Sequence, residues 1–239
     1  MDKDTEDTEV KESNENKDCE NIKELGSLNV PKQDDRIQII PIIGQIEGHT
    51  TLSPQTKTTK YEHLIPQLIA MEISKDVEGI LIILNTIGGD VEAGLAIAEM
   101  IYSLTKPTVS LVIGGGHSIG VPLATAADYS FISPSATMII HPIRMNGLII
   151  GVPQTFEYFN KMQERIIEFI SRTSHIETSV LRDMMLKTND LLNDMGTILI
   201  VKQAVDYGLI NEVGGISESI RKLNELIDKK NDKKPLNHT

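Results

Sequence analysis

Residues 79–101 read GILIILNTIGGDVEAGLAIAEMI. The first seven, GILIILN (79–85), are apolar on both faces, as a strand covered by helices on both sides must be. From Gly88 the chain runs as GGDVEAGLAIAEMIYSL (88–104), with apolar residues at helical spacing behind two glycines. A buried strand passing through paired glycines into a helix is an α/β signature. It puts backbone N–H groups at a strand end beside a helix start, where such folds hold anions and oxyanions. Taken alone, Gly88 and Gly89 are equally consistent with a tight strand-to-helix connection.

The same pattern recurs downstream. PTVSLVIGGG (107–116) predicts a second buried strand ending in glycines, and SIGVPLATAAD (118–128) a buried helix of small residues. Before them, RIQIIPII (36–43) reads as a strand with its proline at an edge or end. Residues 44–60 read as a loop. Residues 61–74 read as a helix with Pro66 in its first turn or at a kink. After them, DYSFISPSATMIIHP (128–142) predicts two short strands around a Ser-Pro turn. Residues 153–173 form the longest helix, with Phe156, Phe159, Met162, Ile166 and Phe169 or Ile170 on one stripe. AVDYGLINEVGG (204–215) predicts a helix end, a glycine cap and a short strand. Alternating strands and helices of this kind mean an α/β fold.

The chain has 239 residues, 40% of them hydrophobic and 24% charged, which suits one domain with a sizeable core. Residues 1–29 hold ten acids against four lysines. They predict an acidic, disordered N-terminal tail over 1–33, a folded domain over 34–227 and a polar tail over 228–239. A net charge of −11 argues against a nucleic-acid partner. Cys19 is the sole cysteine, so no internal disulfide is possible. No apolar run approaches the roughly 18 residues of a membrane helix, and the acidic start is not a secretory signal. The expectation is a cytoplasmic protein without an integral membrane segment, metal or cofactor.

GHSIG (116–120) matches G-x-S-x-G, a turn that exposes a nucleophilic serine. Ser118 then needs a base within hydrogen-bond reach, and an imidazole is the usual one. His141, at the end of MIIHP (138–142), is the candidate. His117 is not assumed to be the base, because adjacent residues diverge in direction. The α/β-hydrolase order of Ser, acid, His would require Asp128 before His141, or Asp128 or Glu157 before His175. Neither leaves room for that fold's strands.

NTIGGDVEAGLAIAEMI, then GGGHSIGVPLATAADYSFISPSATMIIHP, then QAVDYGLINEVGG together resemble the proteolytic subunit of the Clp protease, ClpP, over roughly 37–215. The stretches GQIEGHTTLSPQTKTTKYEHLIPQ and IGVPQTFEYFNKMQER look like that family's translocation-enhancing subgroup. The resemblance implies an α/β fold of the ClpP/crotonase type, a superhelix of ββα units. It implies Ser118 as nucleophile, His141 as general base, and an oxyanion hole made by the Gly88–Gly89 loop and the Ile119 N–H. It further implies a ring-forming homo-oligomer joined through 143–173. The implied activity is that of a serine endopeptidase, working alone or with a partner on peptides or unfolded proteins, with a part in protein export. The alternatives are a non-proteolytic scaffold or export factor that binds presecretory proteins, and a crotonase-type acyl-CoA enzyme that needs no Ser–His pair. Two departures stand out: His117 replaces a small residue, and Gly196 falls where the family carries its catalytic aspartate. Asp194 is therefore the candidate orienting acid, with Asp190 a weaker substitute.

Overall fold

The computed structural model describes residues 36–144, 151–188 and 195–232. The expected N-terminal tail, Asp190 and Asp194 lie outside the described residues. Within them the chain is α/β, as predicted. The elements run β1 (Ile37–Glu47), β2 (Thr58–Lys60), α1 (Tyr61–Ile73), β3 (Gly79–Gly89), α2 (Val91–Tyr102), β4 (Thr108–His117), α3 (Gly120–Thr125), β5 (Tyr129–Ile132) and β6 (Thr137–Ile140). They continue with α4 (Val152–Thr173), α5 (Thr178–Leu186), β7 (Thr197–Ile200), α6 (Val201–Asp206), β8 (Glu212–Val213) and α7 (Ile216–Asp232).

The strands form one sheet in the order β2-β1-β3-β4-β5-β8, with β6 against β4 and β7 against β6. Every pairing is parallel except β6 with β7. Strand β4 is shared along one edge. Val109–Val112 pair with β5, and Gly115–His117 pair with β6. This split carries β6, and the residue that follows it, to the glycine end of β4.

Parallel sheets are covered on both faces, and the alternation along β3 shows how. Ile80, Ile82 and Leu84 belong to a large core with Ile40, Ile42, Leu68, Ile97, Ile101 and Ile170. Leu81 points to the other side and joins Val109, Leu111, Phe131, Leu223 and Ile227. Leu223 and Ile227 come from α7, so this helix covers the second face. Each such side chain contributes about 1.5–3 kcal/mol on burial. Ile216, Ile220, Leu223 and Ile227 recur at helical spacing, and α7 continues to Asp232, into the stretch read as a polar tail.

Two local expectations need adjustment, and that for Pro41 holds. Strand β1 continues to Glu47, and β2 adds to it within the expected loop. Pro41 sits where β1 pairs only with β3, because β2 reaches no further than Gln45; its missing N–H is on the open edge. Pro66 lies past the first turn of a continuous α1, and the carbonyl it leaves without a helical donor belongs to exposed Glu62.

Helix α4 divides into two halves. Met162, Ile166, Ile167, Phe169 and Ile170 are buried. Val152, Phe156 and Tyr158 are exposed, Phe156 at 67%.

Candidate active site

The parallel register puts the glycine ends of β3 and β4 side by side, with Thr86 opposite Gly116. Gly88 and Gly89 have φ of +91° and +151°, values that side chains disfavour. Space forbids a side chain as well. A Cβ on Gly88 would lie 2.6 Å from Ser118 Cβ, and one on Gly89 would lie 2.2 Å from Ile46 O. The glycines end β3 rather than opening the helix. Helix α2 begins after Asp90, whose side chain accepts a hydrogen bond from the Ala93 N–H at 2.8 Å, a normal N-cap.

Ser118 occupies the turn between β4 and α3 with φ +57°, the one non-glycine residue in the left-handed region among the described residues. A side chain held there costs free energy that the surroundings must supply. Two backbone bonds hold it: its N–H donates to Ile139 O at 2.8 Å, and its carbonyl accepts from Val121 N–H at 3.0 Å. Ile139 belongs to β6, and His141 follows one residue after that strand. The strand pairing that fixes the serine therefore also delivers the histidine.

Ser118 and His141 line one cavity of about 120 Å³ with Gly89, Ile119, Ile140 and Ile170. A cavity of about 150 Å³ holds a small hydrocarbon, so this one has room for one aliphatic side chain. Arg144 is the one lining residue with a permanent charge. His141 Nδ1 is 2.7 Å from Pro142 O. A carbonyl oxygen can only accept, so Nδ1 carries the proton and the neutral ring keeps its lone pair on Nε2. Ser118 Oγ makes no hydrogen bond among the described residues, and neither does the Ile119 N–H. The Gly88 N–H is engaged, donating to Thr86 Oγ1 at 3.0 Å.

His117 ends β4 and takes a different direction from Ser118. Its Nε2 lies 3.0 Å from Thr137 Oγ1. Burial holds its pKa below the usual imidazole value, and the nearby His141 lowers it further.

The other candidates lie elsewhere. Asp128 Oδ2 accepts from the N–H and the hydroxyl of Thr108, at 2.8 and 3.0 Å. Thr108 begins β4 and His117 ends it, so Asp128 sits a strand length from Ser118, about 30 Å. That removes the acid an α/β-hydrolase order would require. Glu157 is on the exposed half of α4, and the His175 N–H donates to Gly208 O. Gly196 has φ +135°, and its N–H donates to Lys187 O. No group of three metal-ligating side chains occurs among the described residues.

Helices α2 and α4, which wall the cavity, are tied by Arg165 to Glu92 at 2.8 and 3.1 Å and by Arg172 to Glu99. The Arg165 hydrogen bond holds the Glu92 carboxyl below its usual pKa. Both pairs are about half exposed, so each contributes up to about 1 kcal/mol. Sequence reading missed Thr86, Asp90 and Arg144. A threonine two residues before a glycine amide, and an aspartate three before a helical N–H, were the available signals for the first two. Nothing local marks Arg144.

The chain belongs to the Clp protease family, whose model matches residues 33–217. Among its relatives, the translocation-enhancing protein TepA of Halalkalibacterium halodurans is 59% identical over 211 residues, covering 88% of this chain and 82% of that one. An ATP-dependent Clp protease proteolytic subunit of Chlamydia muridarum is 27% identical over 139 residues, covering 54% of this chain and 72% of that one. A ClpP1 point mutant from Listeria monocytogenes has the same fold, with a TM-score of 0.62 at 24% identity over 78% of this chain and 95% of that one. No helix among the described residues is long and apolar enough to cross a membrane.

Proposed function

We propose that the chain is a serine endopeptidase of the ClpP type that cleaves peptides or unfolded proteins. One observation carries this reading. A serine held in the left-handed region faces Gly88 and shares a small apolar cavity with a histidine of the right tautomer.

In the proposed reaction, Ser118 Oγ attacks the scissile carbonyl carbon while its proton passes to His141 Nε2. Substrate binding must first close the Ser118–His141 hydrogen bond, which free enzymes often leave loose. The Nδ1–H bond to Pro142 O holds the ring while it gains charge. The oxyanion takes the amides of Ile119 and Gly89. The Asp90 N–H donates to Ile46 O on β1, and successive N–H groups of a strand point to opposite sides, which favours the Gly89 N–H for the Ser118 side. Collapse of the tetrahedral adduct breaks the C–N bond, and the amine leaves with the proton from His141. Water then hydrolyses the acyl-enzyme by the same groups. The apolar cavity suits an aliphatic substrate side chain.

The exposed half of α4, with Val152, Phe156 and Tyr158, supports a ring-forming homo-oligomer. The site of action proposed is the cytoplasm. Asp194 enters as the carboxylate that takes the Nδ1–H in place of Pro142 O. If it does, Asp194→Asn lowers turnover by about 10⁴; if the carbonyl suffices, turnover stays near that of wild type. The name of the Halalkalibacterium relative, translocation-enhancing protein, favours a second reading, a non-proteolytic factor that aids export. Labelling by a fluorophosphonate separates the two. The peptidase labels at Ser118 and the Ser118→Ala variant does not, whereas an unlabelled wild type removes the peptidase reading.

A further inference from the structure

We propose that Thr86 is a positioning residue that sets the distance between the two oxyanion amides. The inference rests on the peptidase reading above. Thr86 is 1% exposed, between two irregularities of the sheet. The β1–β3 register shifts after Gly44, and the β3–β4 register shifts between Leu84 and Thr86. Such shifts re-aim the backbone beyond them, and the backbone beyond these is the Gly88–Gly89 turn.

The Thr86 hydroxyl bridges the first of these shifts, binding the residue on each side of it. Its Oγ1 donates to Gly44 O at 2.6 Å and accepts from the Gly88 N–H at 3.0 Å. The hydroxyl has one proton, and Gly44 O takes it, so the lone pair is left for Gly88 N–H. Gly88 is thereby turned toward β1, which leaves Gly89 as the amide of the turn for the oxyanion. The methyl acts on the other partner. A Cβ placed on Gly120 would meet Thr86 Cγ2 at 2.7 Å, so the methyl rests against the first residue of α3. Gly88 is one residue before Gly89, and Gly120 is one residue after Ile119. A single buried side chain thus touches the neighbour of each candidate donor, one through its hydroxyl and one through its methyl. An oxyanion hole works only when its donors are preorganised, and Thr86 supplies that rigidity without touching substrate.

The test compares Thr86→Val, which keeps the shape and removes the hydroxyl, with Thr86→Ser, which keeps the hydroxyl. Three quantities are read on the full chain: kcat and KM for a peptide substrate, the affinity of a peptide boronic acid that forms a tetrahedral adduct on Ser118, and the melting temperature. For Thr86→Val, kcat and boronate affinity should both fall about 10- to 100-fold with KM little changed, the size of loss that a 1 Å misplacement causes. Thr86→Ser should restore most of both. Equal kcat and boronate affinity in Thr86→Val, or a lowered melting temperature alone, would overturn the proposal. So would a Thr86→Ser variant as impaired as Thr86→Val, because the hydroxyl would then not be the cause. Should Thr86→Val fail to fold, the Thr86→Ser comparison with wild type still decides: losses of the size expected for Thr86→Val overturn it, and near-wild-type values support it. A wild type that neither turns over peptide nor takes a fluorophosphonate overturns the peptidase reading and this inference with it. An active wild type with an indifferent Thr86→Val overturns this inference alone.

Discussion

The two ends of the parallel sheet are built on opposite principles. At the N-terminal end of β4 the polar groups are paired. Asp128 and Thr108 exchange three hydrogen bonds, and Lys106 Nζ donates to Val77 O at 2.6 Å and to Ser74 O. At the C-terminal end, Ser118 is held in a disfavoured conformation, Gly88 and Gly89 leave no room for side chains, and Ser118 Oγ and the Ile119 N–H make no hydrogen bond among the described residues. One end contributes stability; the other holds strain and open donors where a reacting carbonyl would sit. Stability and catalysis should therefore respond separately to changes at the two ends.

The largest separation should come from Ser118→Gly. Hydrolysis and fluorophosphonate labelling should be lost, while stability rises. Relief of the left-handed conformation is worth about 1–2 kcal/mol, and the added freedom of glycine in the unfolded chain returns about 0.5–1 kcal/mol of that. A melting temperature lower than wild type would break the comparison by making Ser118 a stabilising residue.

Asp128→Ala should do the reverse. Losing the carboxylate leaves the buried Thr108 N–H unpaired, at a cost of about 1–3 kcal/mol. Denaturant unfolding should show that loss, while turnover per folded molecule stays at the wild-type level. A fall in turnover would mean that the two ends are coupled through β4.

A smaller effect tests the outer half of α4. Phe156→Glu should shift native mass to a smaller assembly with little change in melting temperature, because Phe156 touches no core. An unchanged native mass would leave the exposed half without an assembly role.

The smallest effect is one of pH. The folded-state pKa of His117 lies below its ordinary 6.5, so its contribution is fully present above pH 6.5 and is lost as pH falls through that value toward the folded pKa. Stability should decline over that window, and His117→Gln should flatten the decline. The ring is half-exposed and faces Thr137 and the neighbouring His141. An unaltered profile in His117→Gln would assign the decline to other groups.

Much of this was legible in the chain. The apolar runs of β3 and β4 had to be covered strands, because their Ile, Leu and Val residues leave neither face polar. Gly88 and Gly89 had to mark a tight turn, because little else permits those backbone angles, whereas Gly114–Gly116 continue β4 without positive φ. The small residues after Ser118 had to be a buried helix. Ser118 and His141 stood out by residue type and by position at strand ends. What sequence reading missed depends on separation along the chain. Thr86 acts on Gly44, 42 residues away. His141 comes to line the same cavity as Ser118 only because β6 lies along the upper half of β4. Asp128, close to Ser118 in sequence, is carried to the opposite end of a ten-residue strand. The division of α4 into a packed half and an exposed half is invisible in a stripe that runs its whole length. Local chemistry is written in adjacent residues, but the strand pairing that selects which of them meet is decided only when the sheet closes.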